Sequence, residues 1–581
     1  MMIKQSFILF LFLTLTLLLG SSCLDKSKKT SSNQTLNIAL RGEVPTLDPA
    51  SAYDTLSASV IYQCYETLYE YHYLKRPYTL KPLLADGMPL VENRGKRYTI
   101  KIKKGIRYHD DPSFYGKVRY LKAQDFINQI KRLAFIPTKS SGWWLFDGKI
   151  VGINKFRKQA GNDLNAFKRL TISGLQAKDD HTLVINLTQP YPQMLYALAM
   201  SFTAPVPLEI ISQYNNLLND RIVGTGPFKL GEWVRSSKIV LQRFEHYHES
   251  YYPSIGDRLS NDNNLLHDAG KKIPFLQGIV FHVMKEDQTR WLNFQSQKID
   301  LSHIDKDNFQ NAVNPDGQLS QSLKNKKIHL QISPSLTYWW LSFNMKDKIV
   351  GTNLKLRQAI AHAVDMDRYL SLFTNNIGLK ANSIYPPGIF GYDPAHQLPF
   401  EYNLEKAKKL LAEAGYPDGK GLPVLRYDVR GASPTNRQQA EYIKSELSKI
   451  NIRTKVTLNS FPRFLEKVRS GQLQFWQGGW AMDYPDAENS LQLLTTQNHA
   501  PGPNSSFYTN AQFDRYFEQL KIIPNNKKKL ELMRKMEQII QQDLPWIMQY
   551  YSKNYFLFHE HLKNYRHSDV IYNYMKYLRK E

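Results

Sequence analysis

Hydrophobic and polar positions along this chain repeat with two periods, one typical of strands and the other of helices. The stretch LNIALRG alternates residue by residue and predicts a strand, and residues 55–71 follow it with helical spacing. The stretch KAQDFINQIKRLA places Phe126, Ile130 and Leu133 on one helical face. The strand-like stretch HTLVINLTQP ends at a proline. These patterns predict alternating strands and helices.

The same alternation continues through the rest of the sequence. The stretch GTGPFKLGEWVRSSKIVLQRF predicts a β-hairpin around RSSK. The stretch LEKAKKLLAEAGYPDG predicts a helix that stops at Gly415. A strand LPVLRYDVRG, a helix near 436–449 and a strand NIRTKVTLNS predict a strand–helix–strand unit. A strand at LQFWQGGWAM, a long helix around 525–542 and a strand at WIMQYYSKNYFLFH follow. The pattern therefore predicts a mixed α/β fold.

The first residues have the pattern of a secretory signal peptide. Lys4 precedes an apolar, threonine-containing run from Phe7 to Leu19, which is shorter than the ~20 residues of a membrane-spanning helix. Small residues, GSSC, come next. We expect residues 1–22 to be a signal peptide, with an uncleaved N-terminal membrane anchor as the alternative.

Cys23 comes directly after this apolar run. Its surroundings resemble a bacterial lipoprotein processing site, although Gly20 stands where a leucine is usual. This resemblance predicts lipidation at Cys23, and residues 23–34 would then form a polar tether too poor in apolar side chains to fold. The other of the two cysteines, Cys64, lies in an apolar helical pattern. We expect an inert buried thiol there and no disulfide framework.

The sequence is strongly basic, with a formal net charge of +24 from 76 basic and 52 acidic side chains. Its lysines are scattered over predicted helix faces, so we expect solvated surface charge and no nucleic-acid partner. The sequence contains no G-x-x-x-x-G-K-S/T, G-x-S-x-G or H-E-x-x-H motif. The pairs His246/His248 and His559/His561 lack the spacing of metal ligands, so we expect neither a metal nor a cofactor.

Several longer stretches occur in an order that is typical of one protein family. They are LNIALRGEVPTLDPASAYDTLSASVIYQCYETLYEY, KGIRYHDD with LKAQDFINQIKRLA, GLQAKDDHTLVINLTQPYP, VGTGPFKLGEWVRSSKIVLQRFEHY, LSFNMKD with LRQAIAHAVD, and AKKLLAEAGYPDG. From about residue 36 onward, the sequence thus resembles the large extracellular solute-binding proteins that serve peptide-importing ABC transporters, the family 5 oligopeptide- and dipeptide-binding group.

The resemblance implies an α/β architecture of two lobes, the periplasmic binding protein fold of type II in its large three-subdomain form. Paired crossovers would form a hinge between the lobes, which would close on ligand. By matching, the first lobe would contain residues 35–75, 196–288 and 505–581. A small subdomain of residues 76–195 would sit on it, and residues 289–504 would form the second lobe.

The stretch QGGWAMDYPDAEN would carry the main ligand contact. The resemblance implies that Asp483 pairs with the α-ammonium group of a peptide. A closed cleft excludes water, so a buried ammonium group needs a fixed counter-charge. Trp480 and Tyr484 would form walls of the first ligand pocket. Without the resemblance, the alternative role for Asp483 is to cap the turn DYPD.

The first lobe and the small subdomain would add further contacts. Tyr53, Asp54 and Thr55 match the segment that would pair with the peptide main chain like an added strand. Trp143 and Trp144 lie where the small subdomain would offer an aromatic side chain to the cleft, with core packing as the alternative. For the peptide carboxylate, the resemblance offers Arg469. At the position where the oligopeptide-binding proteins have a second arginine, this sequence has Gln477, which leaves the preferred peptide length open.

The implied function is that of a substrate-binding protein, not an enzyme. It would be a monomer in the periplasm or cell envelope, anchored through Cys23, and would deliver peptides to an ABC permease in the inner membrane. Within the same fold, haem, a nickel chelate, an opine or a sugar are alternative ligands, although Asp483 disfavours ligands without a cation. An exported hydrolase and an envelope scaffold that kept the fold are alternatives from other classes.

Overall fold

The computed structural model describes residues 34–581, apart from residues 77, 315, 375–377, 432 and 501. The predicted signal peptide (1–22), the predicted lipidation site Cys23 and all but the last residue of the predicted tether (23–34) lie outside the described residues. Within the described chain, no helix has the length and apolar character needed to cross a membrane.

Nineteen strands are found in the described residues. In chain order they are β1 (Thr35–Leu40), β2 (Tyr69–Tyr71), β3 (Leu80–Pro82), β4 (Leu90–Glu92), β5 (Arg97–Lys101), β6 (Leu175–Asp179), β7 (Thr182–Asn186), β8 (Phe228–Val234), β9 (Lys238–Arg243), β10 (Gly278–Val283), β11 (Leu301–His303), β12 (Ile328–Phe343), β13 (Leu379–Lys380), β14 (Leu425–Arg430), β15 (Thr454–Asn459), β16 (Phe475–Ala481), β17 (Trp546–His559), β18 (Leu562–Lys563) and β19 (Arg579–Lys580).

The α-helices connect these strands. They are α1 (Thr55–Cys64), α2 (Ala123–Ala134), α3 (Ile153–Ala160), α4 (Leu164–Arg169), α5 (Met194–Ala197), α6 (Leu208–Gln213), α7 (Arg258–Asp262), α8 (Asp287–Gln295), α9 (Phe309–Ala312), α10 (Gln321–Asn325), α11 (Leu354–Ala363), α12 (Met366–Thr374), α13 (Leu404–Glu413), α14 (Pro434–Ser448), α15 (Phe461–Arg469), α16 (Ala487–Leu491), α17 (Ala511–Leu520) and α18 (Lys527–Asp543). The mixed α/β fold predicted from the pattern is confirmed.

Local sequence explains where individual elements begin, end and pack. Phe126, Ile130 and Leu133 of α2 are all buried, as their spacing predicts. Helix α13 ends just before Gly415, whose positive φ of 92° suits a residue without a Cβ atom. Cys64 at the end of α1 is a buried free thiol, and burial raises its pKa well above the ordinary value. The prediction of an inert thiol is therefore confirmed.

The largest sheet has eleven strands and connects two groups of parallel strands. Its order is β15-β14-β16-β12-β17-β11-β1-β10-β9-β8, with β13 also paired to β17. On one side, β1 pairs in parallel with β10 and β11. On the other, β14 pairs in parallel with β15 and β16. The long strands β12 and β17 lie antiparallel between the two groups and belong to both. These two groups are the two lobes, and β12 and β17 are the crossovers between them.

The position of the lobe boundary differs from the predicted one at residue 289. Strand β11 pairs with Ile38 of β1 and with the Phe556–Phe558 part of β17. Apolar side chains of α8 to α10 pack with Leu557 and against Ala39 and Met284. Residues 289–334 therefore lie with the first lobe, because their strand and their apolar side chains find partners there.

The crossovers change partners at a bulge, where the second lobe begins. The register between β12 and β17 shifts between Pro334 and Tyr338. Beyond this shift, β12 pairs with β16 from Thr337 to Phe343. The first half of β17, through Tyr551, pairs with this same part of β12. The strand pairing thus assigns residues up to about 551 to the second lobe, whereas the sequence predicted a return to the first lobe at residue 505.

The range predicted as a small subdomain, residues 76–195, contains a separate four-stranded antiparallel sheet in the order β4-β5-β7-β6. Helices α2 to α4 pack with this sheet around a shared apolar core. That core also includes residues outside the range, among them Phe202, Ile210 and Tyr484. The small subdomain is thus packed into the rest of the molecule close to the QGGWAMDYPDAEN stretch.

Candidate functional site

Strand β16 carries the predicted ligand-binding stretch along one edge of β12. Gly478 lies opposite Trp340, and Gly479 lies opposite Trp339. A Cβ atom on Gly478 would come within 2.5 Å of the Trp340 ring, and one on Gly479 within 2.4 Å of the Trp339 ring. The two glycines are needed because two indole rings occupy the space that their side chains would fill.

Asp483 follows β16 and is only partly buried. Its Oδ2 atom accepts hydrogen bonds from the hydroxyl of Tyr53 at 3.0 Å and from Nδ2 of Asn489 at 2.9 Å. Burial raises the pKa of this carboxyl to about 6, the two hydrogen bonds lower it, and the charge of Glu488 raises it further. Among the described residues, no basic side chain forms an ion pair with Asp483. Within the described part of the chain, the carboxylate therefore has neutral donors but no cationic partner.

Asn489 fixes the positions of both Asp483 and Trp480. Its Oδ1 atom accepts the indole N–H of Trp480 at 2.9 Å and the backbone N–H of Asp483 at 3.0 Å. Asn489 itself is fully buried. The sequence reasoning missed this residue, although it ends the stretch QGGWAMDYPDAEN, because its hydrogen bonds depend on the fold of the turn before α16. Its three hydrogen bonds to the two candidate residues give it a positioning role.

Capping of the turn is done by a different aspartate. Asp486 accepts a hydrogen bond from the backbone N–H of Glu488 at 2.9 Å and so caps α16. It also forms a buried ion pair with Lys529 at 2.8 Å. The carboxylate of Asp483, in contrast, accepts hydrogen bonds only from side chains in the described part of the chain. The geometry thus disfavours the turn-capping alternative for Asp483.

The segment before α1 reaches Asp483 from the first lobe. Tyr53 is 45% exposed, and its ring packs against Phe202 at a centroid distance of 5.5 Å. Asp54 has an extended backbone and caps α1 by accepting the N–H of Ser57 at 2.8 Å. Thr55 is the exposed first residue of that helix. Tyr53 is therefore the residue of this segment that meets Asp483, and pairing with a peptide main chain stays a prediction.

Tyr484 does not line an open wall. Its side chain is fully buried, its hydroxyl donates a hydrogen bond to the carboxylate of Glu488, and its ring stacks on Tyr196 at 5.5 Å. The structure therefore corrects the predicted role of this residue, because Tyr484 packs into the core of the small subdomain. Trp480 is partly exposed and stays a candidate for the wall.

Trp143 and Trp144 lie on a 3₁₀ turn at the same core. Both are partly buried, and the guanidinium group of Arg157 lies 4.8 Å from the centre of the Trp143 ring. The indole N–H of Trp144 is buried without a hydrogen-bond partner in the described residues. A buried donor usually has a partner, so this unpaired indole N–H keeps Trp144 as a candidate for a ligand contact.

The two positions predicted for the peptide carboxylate differ from expectation. Arg469 is exposed at the end of α15. Gln477 is turned to Gln549 and Tyr369, with Nε2 2.9 Å from Gln549 Oε1 and 3.2 Å from the Tyr369 hydroxyl. Among the described residues, Asp483, Tyr53, Asn489 and Trp480 form the Asp483 cluster. Neither Arg469 nor Gln477 has a hydrogen bond or ion pair to this cluster in the described part of the chain.

A different arginine lies beside the site strand. Arg430 ends β14, the parallel neighbour of β16, and is partly buried. Its guanidinium group lies 5.0 Å from the centre of the Trp339 ring, and burial lowers its pKa. The sequence could have indicated it, because LPVLRYDVRG is predicted as a strand and ligands of open α/β sheets bind at the carboxyl ends of strands.

A cavity of about 880 Å³ separates the lobes beside this arrangement. Its walls include Arg41, His303 and Asp305 from the first lobe, Ser335 and Thr337 at the bulge, and Tyr550 and Ser552 on β17. Trp339 connects this cavity with β16, since its indole N–H donates to Ser552 Oγ at 3.0 Å and its ring stacks on Tyr550 at 6.1 Å. The volume is in the range of sites that enclose organic ligands.

A cleft between two lobes, two crossover strands and a carboxylate held by side chains from both lobes together define a hinged ligand-binding protein. Residues 79–502 match the family model described as bacterial extracellular solute-binding proteins, family 5, middle region. The chain belongs to this family of extracellular solute-binding proteins, and the resemblance inferred from the sequence is confirmed.

Known relatives match almost the whole chain. The dipeptide-binding protein of Escherichia coli (strain K12) is 25% identical over 475 residues, which cover 80% of this chain and 79% of that protein. The glutathione-binding protein GsiB of the same strain is 26% identical over 520 residues, with 88% and 87% covered. The periplasmic binding protein DppA from Helicobacter pylori, solved in complex with the peptide STSA, superimposes with a TM-score of 0.76 at 24% identity and covers 94% of this chain and 98% of that one. The predicted two-lobed fold is therefore confirmed.

Proposed function

We propose that this protein is the peptide-binding component of an ABC importer and captures peptides between its two lobes. The observation that carries the proposal is the position of Asp483, a partly buried carboxylate that contacts the first lobe through Tyr53 and has no described cationic partner. The named relatives are a dipeptide-binding protein, a glutathione-binding protein and a protein solved with the peptide STSA. These names support a peptide as the ligand.

The α-ammonium group of the peptide would pair with Asp483. An ammonium group supplies a charge-assisted hydrogen bond, which is stronger than the neutral bonds from Tyr53 and Asn489. Trp480 would pack beside this group, held by its hydrogen bond to Asn489. Trp144 offers its indole N–H to a peptide carbonyl. The protein would thus recognise the first residue of the peptide by its α-ammonium group and its backbone, and would select little for its side chain.

The peptide carboxylate would be met by Arg430 rather than by Arg469. Arg430 is partly buried next to β16 and lies over the ring of Trp339, which contacts the cavity-lining residues Tyr550 and Ser552, whereas Arg469 is exposed on α15. A partly buried guanidinium group binds a carboxylate more strongly than an exposed one, because solvent screens it less. A sugar or haem ligand is less favoured, since Asp483 disfavours ligands without a cationic group, and a nickel chelate or an amine-bearing opine is less favoured because the named relatives bind peptides.

Peptide binding through Asp483 is tested by a double comparison. A mixture of di- to tetrapeptides identifies a binder, which is then titrated by calorimetry in its free and N-acetylated forms. Asp483→Asn leaves a buried ammonium group unpaired, a loss of ~3–5 kcal/mol, and should weaken binding of the free peptide ~100- to 1,000-fold. N-acetylation should weaken wild-type binding to a similar degree but change little in Asp483→Asn, because both changes remove one interaction.

The exposed substitution Asp262→Asn on α7 is the matched control and should leave both affinities unchanged. Equal binding of free and acetylated peptides by the wild type would refute the role of Asp483. Recovery of cleaved peptide after incubation would instead favour the exported hydrolase. An intact peptide is the expected result, since a binding protein leaves its ligand unchanged.

We propose lipid anchoring at Cys23 in the periplasm, with the protein as a monomer that delivers its ligand to a permease in the inner membrane. The basis is the apolar run followed by GSSC in the sequence. Cys23→Ser, or treatment with globomycin, should block removal of the signal peptide, so that a larger precursor accumulates. A chain of unchanged size and unchanged fractionation under both conditions would contradict anchoring at this residue.

A further inference from the structure

A second, smaller cavity lies within the second lobe. It encloses about 290 Å³ between α18, the first half of β17 and the loop of residues 380–402. Its walls share no residue with the Asp483 cluster or with the cavity between the lobes. They are mostly apolar and include Leu398, Ile540, Leu544, Trp546, Ile547 and Met548. Such a cavity favours an apolar group as its occupant.

One carboxylate is placed in this apolar wall. Glu537 of α18 is only 8% exposed, and its carboxylate receives a hydrogen bond from the backbone N–H of Ile384. Its Oε1 atom has no hydrogen-bond partner among the described residues. The nearest basic atom is Nε2 of His396 at 3.7 Å, and that atom lies 2.9 Å from Nε2 of Gln541. A buried acceptor without a partner is costly, so the cavity contains a site suited to a donor.

The chemistry of the walls selects the type of donor. A metal ion is disfavoured, because the described residues contain no group of three or more metal-ligating side chains. A cavity of 150 Å³ can hold a benzene ring, so about 290 Å³ holds a ring with a short substituent. We propose that this cavity is a second binding site, which takes a small organic amine whose apolar body fills the cavity and whose ammonium group pairs with Glu537.

Protonation of Glu537 makes amine binding at this site depend on pH. Burial raises the pKa of its carboxyl to about 8, and the nearby charge of Asp393 raises it further. The other titratable groups that face it or line the cavity are His396, Tyr385, Tyr551, Lys380, Glu401 and Tyr402. Near neutral pH the empty site therefore holds a mostly neutral carboxyl, which must lose its proton to pair with an ammonium group. Amine binding should strengthen as the pH rises from 6 to 8 and should release a proton.

Trp546 provides a direct optical signal for occupancy of the cavity. It lines the cavity, and its ring stacks on Trp340 at a centroid distance of 4.1 Å. A ligand that packs on Trp546 would change its environment and hence its fluorescence. Because Trp340 lies over Gly478 of β16, the cavity and the site strand share one packed aromatic pair.

The proposal is tested with three probes of equal shape, namely benzylamine, benzyl alcohol and benzoate. Each is titrated into wild-type protein, Glu537→Gln and Asp483→Asn, with fluorescence and calorimetry at pH 6, 7 and 8. We expect benzylamine to bind wild type at least tenfold more tightly than the other two probes at pH 8. Glu537→Gln keeps the volume of the side chain and should remove this preference.

Asp483→Asn should bind benzylamine as the wild type does, which separates this site from the peptide site. Leu398→Trp, a substitution that fills the cavity and keeps Glu537, should weaken benzylamine binding as well. Equal benzylamine affinity in wild type and Glu537→Gln overturns the proposal, as does a loss of binding in Asp483→Asn. No binding of benzylamine at any pH also overturns it, and the paired His396 and Glu537 would then be a structural contact.

Discussion

At the residue scale, the environment of Asp483 explains both its availability and its selectivity. Tyr53 and Asn489 each donate one neutral hydrogen bond to the same oxygen, Oδ2. Partial burial makes the ionised form costly without a cation, as the raised pKa of about 6 shows. A ligand that brings an ammonium group removes this penalty, whereas a neutral ligand does not.

Peptide affinity should therefore depend on pH. The pKa of Asp483 is raised in the empty protein, and an ammonium group requires the ionised form. Ionisation is nearly complete at pH 7 and falls to about one tenth at pH 5, one unit below the pKa of about 6, so binding should weaken about tenfold between these values. Calorimetric titrations at pH 5, 6, 7 and 8 measure this dependence, and Asp483→Asn should show a much flatter profile. An equally steep profile in that variant would assign the effect to another group.

At the element scale, two indole rings that pack on β16 determine which residues the strand can contain. Gly478 and Gly479 accept the rings of Trp340 and Trp339 at distances that no Cβ atom would permit. Trp339 in turn contacts Arg430 and Ser552. The strand therefore determines the position of the cavity wall as well as that of Asp483.

Substitution of one of these glycines tests this packing. In Gly479→Ala, the added Cβ atom would lie 2.4 Å from the Trp339 ring, and overpacking of this kind typically costs ~1–3 kcal/mol. The free energy of unfolding in urea should fall by this amount, and peptide affinity should fall with it because Trp339 must move. Gly42→Ala is the control, since its Cβ atom would meet only a leucine methyl group at 3.1 Å. Equal stability of the two variants would show that Trp339 adapts without strain.

Elements could be predicted from the sequence because their signals are local. The spacing of Phe126, Ile130 and Leu133 is visible within one helix, and so is the stop at Gly415. The partners of β11 cannot be predicted from local sequence, because Leu301 pairs with Ile38 and with Phe558, each more than 250 residues away. Placement by family resemblance gave the order of the lobes but missed their boundary for this reason.

The candidate site shows the same division. Asp483, Trp480 and Tyr53 were indicated by motifs that the family shares. Arg430 was missed because its role depends on a contact across the fold, to Trp339. Asn489 was missed although it lies close to Trp480 in the sequence, because the turn between them has to fold before the two side chains meet. Tyr484 was misread because an aromatic residue has the same sequence signature in a pocket wall and in a core.

At the scale of the whole molecule, the crossover strands are tied together at their bulge. Asp569 accepts hydrogen bonds from Ser335 Oγ at 2.7 Å and from the backbone N–H of Leu336 at 2.6 Å. Its other oxygen accepts one from Asn554 on β17 at 2.9 Å. Both crossovers are thus held by one carboxylate where they change partners.

Two lobes joined in this way should close on ligand as rigid bodies. Small-angle X-ray scattering of the protein with a bound peptide should give a smaller radius of gyration than the protein without peptide. Asp483→Asn at the same peptide concentration is the control and should remain at the larger value. An unchanged radius, with binding confirmed by calorimetry, would contradict hinge closure.

The hydrogen bond between Tyr53 and Asp483 has a consequence for how any ligand is admitted. In the empty protein, the tyrosine hydroxyl occupies an acceptor position on Oδ2, whereas Oδ1 accepts no hydrogen bond from the described residues. A ligand that approaches Oδ2 must displace this hydroxyl, which belongs to the protein and is present at a fixed, high local concentration. A solute that offers only a hydroxyl gains nothing by such a displacement, while one that offers a charge does. Tyr53 therefore competes with uncharged ligands for Oδ2 and leaves Oδ1 for the ammonium group.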